Sequence, residues 1–193
     1  MIYKRNEKGV FQNMNLSLTK TDLNQYTEFY TLVQDLISNK TVQKMKEFRQ
    51  HYDTSTYEHC FYVAYMSYKI CKKLGLDYKA AARAGILHDL FLYDWRNSSK
   101  LLNLERKHAF IHPKIALENA SKLFTLTDKE KDIIVKHMWP VTLALPKYPE
   151  SFIVTFVDKY SALQESFVFY HSFLKRKKLY KYAYIFLCLL IMI

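Results

Sequence analysis

Six residues of this chain are of the types that bind transition metals, and they follow one another in the order H…HD…H…H…D. Imidazole nitrogens and carboxylate oxygens are the ligands with which proteins hold iron, manganese, zinc and similar ions. Six ligands exceed what one catalytic metal needs when it keeps an open position, so the set suits two metals that share a bridging carboxylate. The six residues are His59, His88, Asp89, His112, His137 and Asp158.

Asp158 is the most informative member of the set. It lies in the segment SFIVTFVDKYSAL, where most neighbours are apolar, and an isolated buried carboxylate is costly unless it is paired or coordinated. Taken alone, Asp158 is equally explained by a salt bridge or by a position facing solvent. His137 alone would be a hydrogen-bonded core histidine or a helix-end histidine, and His112 alone an exposed N-cap. Each residue taken singly is thus explained without a metal, and it is the order and spacing of the whole set that favour a metal site.

Helices must position these residues. Residues 55–58 (STYE) match the capping box and predict a helix start that puts His59 in the first turn, facing inward. Asp77 is predicted to cap the next helix, whose small residues allow close packing and whose end carries His88 and Asp89.

Three later helices are expected to supply the remaining candidates. Proline suits the first helical position, so the His112-Pro113 pair predicts a helix that opens at His112. Residues 127–130 (TDKE) repeat the capping-box pattern and open a helix that ends near His137. A long apolar helix is predicted from Glu150, with Asp158 in its middle.

Composition agrees with an all-α fold of roughly seven to nine helices. The chain has 193 residues, half of them hydrophobic and only three of them glycine, whereas strand-rich folds use more turn glycines. The net charge of +11 favours phosphorylated small molecules, nucleic acid or an acidic membrane surface as partners, although ordinary solubility explains it equally well. No apolar signal segment is visible at the N-terminus. Of the three cysteines, Cys60, Cys71 and Cys188, the first two are expected to be reduced core residues, so a cytoplasmic protein is predicted.

The order and spacing of the candidate ligands resemble those of the HD-domain superfamily of metal-dependent phosphohydrolases. That family has a first histidine in one helix, an HD doublet at the end of a later helix and an aspartate much further on. The matching segments are TYEHCFYVAY with His59, AGILHDL with His88-Asp89, and FVDKYSAL with Asp158.

Members that hold two metals add two histidines between the doublet and the last aspartate. His112 in HAFIHPKIALENA and His137 in DIIVKHMWP match these positions. The resemblance covers roughly residues 44–165 and implies an HD-domain helical bundle with two divalent transition metals. Iron or manganese is the first expectation for them, and zinc, nickel or cobalt the alternative.

The resemblance also implies a reaction. Asp89 would bridge the two metals, and His88 and Asp89 would be the catalytic doublet. The metals would activate a water that cleaves a phosphate ester of a nucleotide or another small phosphorylated metabolite. Two other functions use the same ligands: a di-iron oxygenase similar to myo-inositol oxygenase, and a nucleotide-binding sensor with little turnover.

The sequence departs from two branches of this superfamily. Cyclic-dinucleotide phosphodiesterases continue the doublet as HDIGK and carry a GYP motif, whereas this chain reads HDLFLYDW and has no GYP. The HDxxED continuation of the alarmone hydrolases is also missing, so neither activity is predicted. Asp94 is either a supporting acid or, more simply, an exposed loop residue.

Several residues near the ligands are candidates for substrate contact, although each is equally explained as a surface charge or as core packing. Basic residues would hold the phosphate charge, and aromatic rings would stack on a nucleobase. The basic candidates are Arg49, Arg83, Arg96 and Lys159, and the aromatic ones are Tyr93, Trp95 and Trp139.

We predict three regions along the chain. Residues 1–43 form an N-terminal lead-in with a helix that packs on the domain, residues 44–172 form the HD domain, and residues 173–193 form a basic cluster with an apolar tail. The tail is too short to cross a bilayer. It packs on the domain, forms a homodimer contact or lies on a membrane surface. A small phosphorylated substrate is the expected partner, with no specific nucleic-acid partner.

Overall fold

The computed structural model of the protein describes residues 20–51, 54–95 and 105–176. Within these ranges it contains seven α-helices, one short 3-10 helix and one small antiparallel hairpin, which confirms the predicted all-α class. The elements in chain order are α1 (Lys20–Ile37), α2 (Lys40–Gln43), the 3-10 helix (Lys44–Glu47), β1 (Arg49–His51), β2 (Thr54–Ser55), α3 (Thr56–Lys73), α4 (Tyr78–Leu87), α5 (Glu105–Leu123), α6 (Asp128–Lys136) and α7 (Pro149–Arg176).

The predicted helix starts are present at α3, α4 and α6. Ser55 Oγ accepts a hydrogen bond from the Glu58 amide at 3.2 Å, and the Glu58 carboxylate accepts one from the Ser55 amide at 2.9 Å. Thr127 and Glu130 form the same reciprocal pair at 3.2 and 2.7 Å. Asp77 Oδ1 accepts from the amide of residue 80 at 3.0 Å. The local sequence therefore sets where these three helices begin.

Helix α3 is the centre of the bundle and packs against both α4 and α7. Its crossing with α4 is close because Gly85 lies directly on Ala64: a Cβ atom on Gly85 would be 2.6 Å from the Ala64 Cα. The alanines that precede Gly85 in α4 are buried as well. The close packing predicted for the small residues of α4 is confirmed, and it brings the first turn of α3 beside the end of α4.

Helix α5 differs from the prediction. It begins at Glu105 rather than at His112, and Pro113 lies inside it. Proline inside a helix removes the hydrogen bond to the carbonyl four residues earlier, and its ring crowds that carbonyl. The buried stripe of His112, Ala116 and Ala120 holds the helix against the bundle and outweighs that loss.

The hairpin of β1 and β2 was not predicted. It pairs Arg49 with Ser55 and His51 with Thr54, with an irregularity in the register between them. Gln50 lies on β1 and is buried. The hairpin therefore carries a polar side chain into the bundle just before α3 begins.

Helix α7 buries one face and exposes another. The exposed face carries a row of large apolar side chains at spacings of three and four, namely Phe152, Phe156, Tyr160, Leu163, Phe167 and Tyr170. In the described part of the chain, no helix is both long and apolar enough to span a membrane. Residues 1–19 of the predicted lead-in and residues 177–193 of the predicted tail lie outside the described ranges.

Cys60 and Cys71 are buried and unpaired, as predicted, while Cys188 lies outside the described residues. Burial raises the pKa of the Cys71 thiol to about 12. Both cysteines are small residues of the core, and the raised pKa of Cys71 disfavours its thiolate form.

The Gly85→Ala substitution should destabilise the protein by about 1–3 kcal/mol, because the added methyl meets the main chain of Ala64 rather than a flexible side chain. Urea unfolding measures this change in the free energy of unfolding. Lys79→Ala, on the exposed face of the same helix, is the matched control and should change it little. A Gly85→Ala variant as stable as the wild type would contradict the close crossing of α3 and α4.

Candidate metal centre

The bundle brings all six predicted ligands together in its interior. They arrive from the first turn of α3, the end of α4, the middle of α5, the end of α6 and the middle of α7. Every one of them is buried, and none is more than 8% exposed. Their ligand atoms form three overlapping groups, and within each group these atoms lie within 4.8 Å of one another.

One half of the cluster is built on Asp158. Its Oδ1 lies 2.9 Å from His59 Nε2 and 3.6 Å from His88 Nε2. His88 Nε2 is also 3.5 Å from Asp89 Oδ2. Two imidazoles and two carboxylates therefore converge at this end.

The other half is built on His112 and His137. Their Nε2 atoms are 2.8 Å apart, and Asp89 Oδ1 lies 3.2 Å from the first and 3.4 Å from the second. Asp89 consequently directs one carboxylate oxygen toward each half of the cluster. This is the arrangement expected of a bridging carboxylate.

Three of the four histidines are oriented by main-chain carbonyls. Each is close enough to donate from Nδ1 to a carbonyl at 2.8 Å, which accounts for a proton on Nδ1 and leaves Nε2 facing the centre. The pairs are His88 with the carbonyl of Gly85, His112 with that of His108, and His137 with that of Ile134.

Two of these carbonyls are available because His88 and His137 directly follow the last residues of α4 and α6. Carbonyl groups in the last turn of a helix have no partner within the helix. A histidine placed just after the helix end can donate to one of them and aim its other nitrogen away. The helix ends thus orient the Nε2 atoms of these two imidazoles toward the centre of the cluster.

The cluster fits a metal better than it fits a self-contained hydrogen-bond network. With both Nδ1 atoms protonated, His112 and His137 point two lone pairs at each other across 2.8 Å, which is unfavourable without a cation. His88 Nε2 and Asp89 Oδ1 are buried and have no hydrogen bond of acceptable geometry among the described residues. A divalent ion bound by nitrogen and oxygen would satisfy all four groups.

The histidines and aspartates of the cluster shift one another's pKa values. Burial alone would raise the pKa of Asp89, but His88 and the two histidines beyond it hold that pKa well below its usual range. Asp158 is shifted in the same direction, mainly by His59 and His88, against the effect of burial. Burial would lower the pKa of His59, yet hydrogen bonds to Asp158 and Glu165 raise it to about 10. Both aspartates are therefore anionic at neutral pH.

Three polar neighbours of the cluster were not predicted. Gln50 donates a hydrogen bond to Asp89 Oδ2, and it reaches that position only through the hairpin, so no local sequence signal identifies it. Glu165 Oε1 lies 3.0 Å from His59 Nδ1. The spacing of Asp158 and Glu165, two turns apart on one helix face, was a usable signal for this contact.

His108 is the third of these neighbours. Its ring stacks between Trp95, at 5.1 Å, and His112, at 4.6 Å, and its Nδ1 lies 2.9 Å from the Tyr93 hydroxyl. Burial, followed by the charge of His112, lowers the pKa of His108 to about 4. This stack supports His112 from outside the ligand set, and the spacing of the two histidines by four residues was its signal.

Of the basic residues proposed to contact a substrate, one lies beside the cluster and another is paired away from it. Arg83 forms ion pairs with Asp35 at 2.8 Å and Glu130 at 3.2 Å, which tie α4 to α1 and α6 rather than to the centre. Lys159 Nζ donates to the carbonyl of His137 at 2.9 Å and so lies beside the cluster.

The remaining candidates are less closely tied to the cluster. Arg49 is exposed, Arg96 lies outside the described residues, and Asp94 does not belong to any of the ligand groups found in the described residues. The ring of Trp139 packs edge-on against Phe152, at 5.6 Å. Stacking of a nucleobase on Tyr93, Trp95 or Trp139 stays a prediction.

The helical bundle encloses a buried cluster of histidines and aspartates, in the order H…HD…H…H…D, that is compatible with a metal centre. The family model of the HD domain matches residues 56–163, more than half of the chain, and the chain belongs to the HD-domain family. This superfamily is one of metal-dependent hydrolases. Comparisons with curated proteins and with solved structures gave no match.

Metal affinity should fall as the pH is lowered from about 8 to about 6. In the metal-free protein the raised pKa of His59, about 10, keeps a proton on the imidazole, and a metal that binds Nε2 must displace it. Each displaced proton weakens binding about tenfold per pH unit below that pKa. Competition titration with a chelator at several pH values measures the slope. An affinity that does not change over this range would contradict the assigned role of His59.

Proposed function

We propose that the protein is a metal-dependent phosphohydrolase that cleaves a phosphate ester of a nucleotide or another small phosphorylated metabolite. The proposal includes two divalent transition metals, with iron or manganese as the first expectation. A small phosphorylated molecule is the proposed partner, and no specific nucleic-acid partner is included.

One observation carries this proposal: two groups of ligand atoms share Asp89. The group formed by His59, His88 and Asp89 and the group formed by Asp89, His112 and His137 overlap only at that carboxylate. Two metals bridged in this way are typical of enzymes that displace an oxygen from phosphorus, because both the attacking and the leaving oxygen need charge stabilisation.

The side chains of the cluster hold the site ready for such a reaction. Three histidines keep their Nε2 atoms aimed at the centre through fixed Nδ1 contacts, so little reorganisation is needed when a ligand arrives. When bound, the metals would act as Lewis acids and lower the pKa of a coordinated water toward neutrality. The apolar helices around the cluster exclude bulk water and strengthen every charge interaction inside it.

Positive charge beside the cluster supports the proposal of an anionic substrate. Lys159 lies next to Asp158 in sequence, is half-buried and contacts the carbonyl of His137. Burial lowers its pKa, while Asp158 and Asp89 oppose that shift. An ammonium group at this position would attract the phosphate charge that the metals leave uncompensated. The net charge of +11 acts in the same direction at longer range.

Neither Asp89 nor Asp158 suits the role of general acid near neutral pH. Both carboxyl groups have pKa values well below their usual range because histidines surround them. Their role in the proposed reaction is therefore to hold metals and to orient imidazoles. The leaving oxygen would take its proton from water.

The test compares the manganese-loaded and iron-loaded protein, with and without oxygen, on nucleotides and sugar phosphates. Phosphate release with manganese in the absence of oxygen is the expected result. An activity that requires both iron and oxygen, with no phosphate released from any ester, would contradict the proposal and assign the chain to the oxygenases of this fold.

The Asp89→Asn variant should lose bound metal and reduce phosphate release to background, because the amide keeps the shape of the carboxylate but removes the shared negative charge. Asp128→Asn makes the same change at a site on α6 where the side chain is 90% exposed, and it should behave as the wild type. Elemental analysis and a phosphate assay on the two purified variants measure both effects. Undiminished turnover in Asp89→Asn would rule out the proposed reaction.

A further inference from the structure

Glu165 lies behind His59, on the side of the ring away from the other candidate ligands. Its Oε1 is 3.0 Å from His59 Nδ1, while His59 Nε2 faces Asp158 Oδ1 at 2.9 Å. The imidazole is therefore held at both nitrogens by carboxylates. If Nε2 held a metal, Nδ1 would keep its proton and donate a hydrogen bond to Glu165.

This environment differs from that of the other three histidines. His88, His112 and His137 donate from Nδ1 to neutral main-chain carbonyls, whereas His59 faces an anionic acceptor. A carboxylate acceptor withdraws the Nδ1 proton more strongly and makes Nε2 a more basic ligand. The two halves of the cluster consequently differ in charge as well as in composition.

Ser161 holds the carboxylate of Glu165 in place. Its Oγ donates to Glu165 Oε1 at 3.0 Å and lies 3.5 Å from His59 Nδ1. Asp158, Ser161 and Glu165 follow one another at spacings of three and four on one face of α7. The side chain of Glu165 is only 15% exposed.

Within the described part of the chain, His59 is the only basic side chain that pairs with Glu165. Among the described residues, no lysine or arginine forms an ion pair with it, and its second oxygen is buried without a hydrogen-bond partner. A buried carboxylate held in this way contributes its charge to His59 and to the metal position beyond.

We propose that Glu165 is a positioning residue that strengthens metal binding at the half of the cluster formed by His59, His88 and Asp158. That half has the charges of Asp158 and Glu165 in addition to the shared Asp89. In the half formed by His112 and His137, Asp89 is the one carboxylate of the described residues that is grouped with both histidines. The first half should therefore bind a metal ion more tightly than the second and be occupied first. This inference rests on the metal centre of the proposed function.

The test titrates the metal-free protein with Mn²⁺ in competition with a fluorescent chelator. The wild-type protein should bind one Mn²⁺ ion in a tighter step and a second ion in a weaker step. Glu165→Gln keeps the shape and an oxygen acceptor but removes the charge, so the tighter step should weaken by about 10- to 100-fold while the weaker step is unchanged. Glu118→Gln, on α5 with a side chain 66% exposed, is the control for the charge change and should alter neither step.

A second measurement tests the hydrogen bond between His59 Nδ1 and Glu165 directly. In the Zn²⁺-loaded protein, long-range ¹H–¹⁵N spectra of the imidazoles should place the Nδ1 proton of His59 further downfield than those of the other three ligands. In Glu165→Gln this resonance should move upfield. A residue that merely supported the fold would change the melting temperature without this signature.

A Glu165→Gln protein that binds both ions as tightly as the wild type would overturn the inference. A His59 Nδ1 resonance that falls among those of the other histidines would overturn it as well. Both measurements report metal binding and not turnover. A wild-type protein that binds two ions but releases no phosphate would refute the proposed function and leave the role of Glu165 intact.

Discussion

The carboxylate of Asp89, buried at the end of α4, is the constraint around which the site is arranged. A buried anion is costly unless opposite charge and hydrogen bonds compensate for it. Gln50 supplies a hydrogen bond, and three imidazoles lie within 3.5 Å of its oxygens. The ion pairs of Asp89 in the described part of the chain are with histidines alone, and a bound metal cation would add to this compensation.

Helix ends and helix crossings satisfy this constraint together. His88 and His137 sit immediately after α4 and α6, where last-turn carbonyls accept their Nδ1 protons. The close approach of Gly85 to Ala64 sets the distance between α4 and α3, and with it the distance between the HD doublet and His59. The same small residues that allow dense packing thus fix the geometry of the ligands.

Much of this arrangement could be predicted from the sequence because its signals are local. Capping boxes marked the starts of α3 and α6, and the order of the histidines and aspartates marked the cluster. The start of α5 was predicted wrongly because proline is compatible with an interior position when tertiary packing outweighs one lost hydrogen bond. Gln50 could not be found, since a short irregular hairpin brings it to Asp89. Glu165 could have been found from its spacing to Asp158.

Anomalous X-ray diffraction from crystals of the Mn²⁺-loaded protein tests the central claim most directly. The account predicts two anomalous peaks about 3.5–4 Å apart. One should be bound by His59, His88 and Asp158, the other by His112 and His137, with Asp89 between them. A single peak, or two peaks that do not share Asp89, would contradict the account of a bridged binuclear centre.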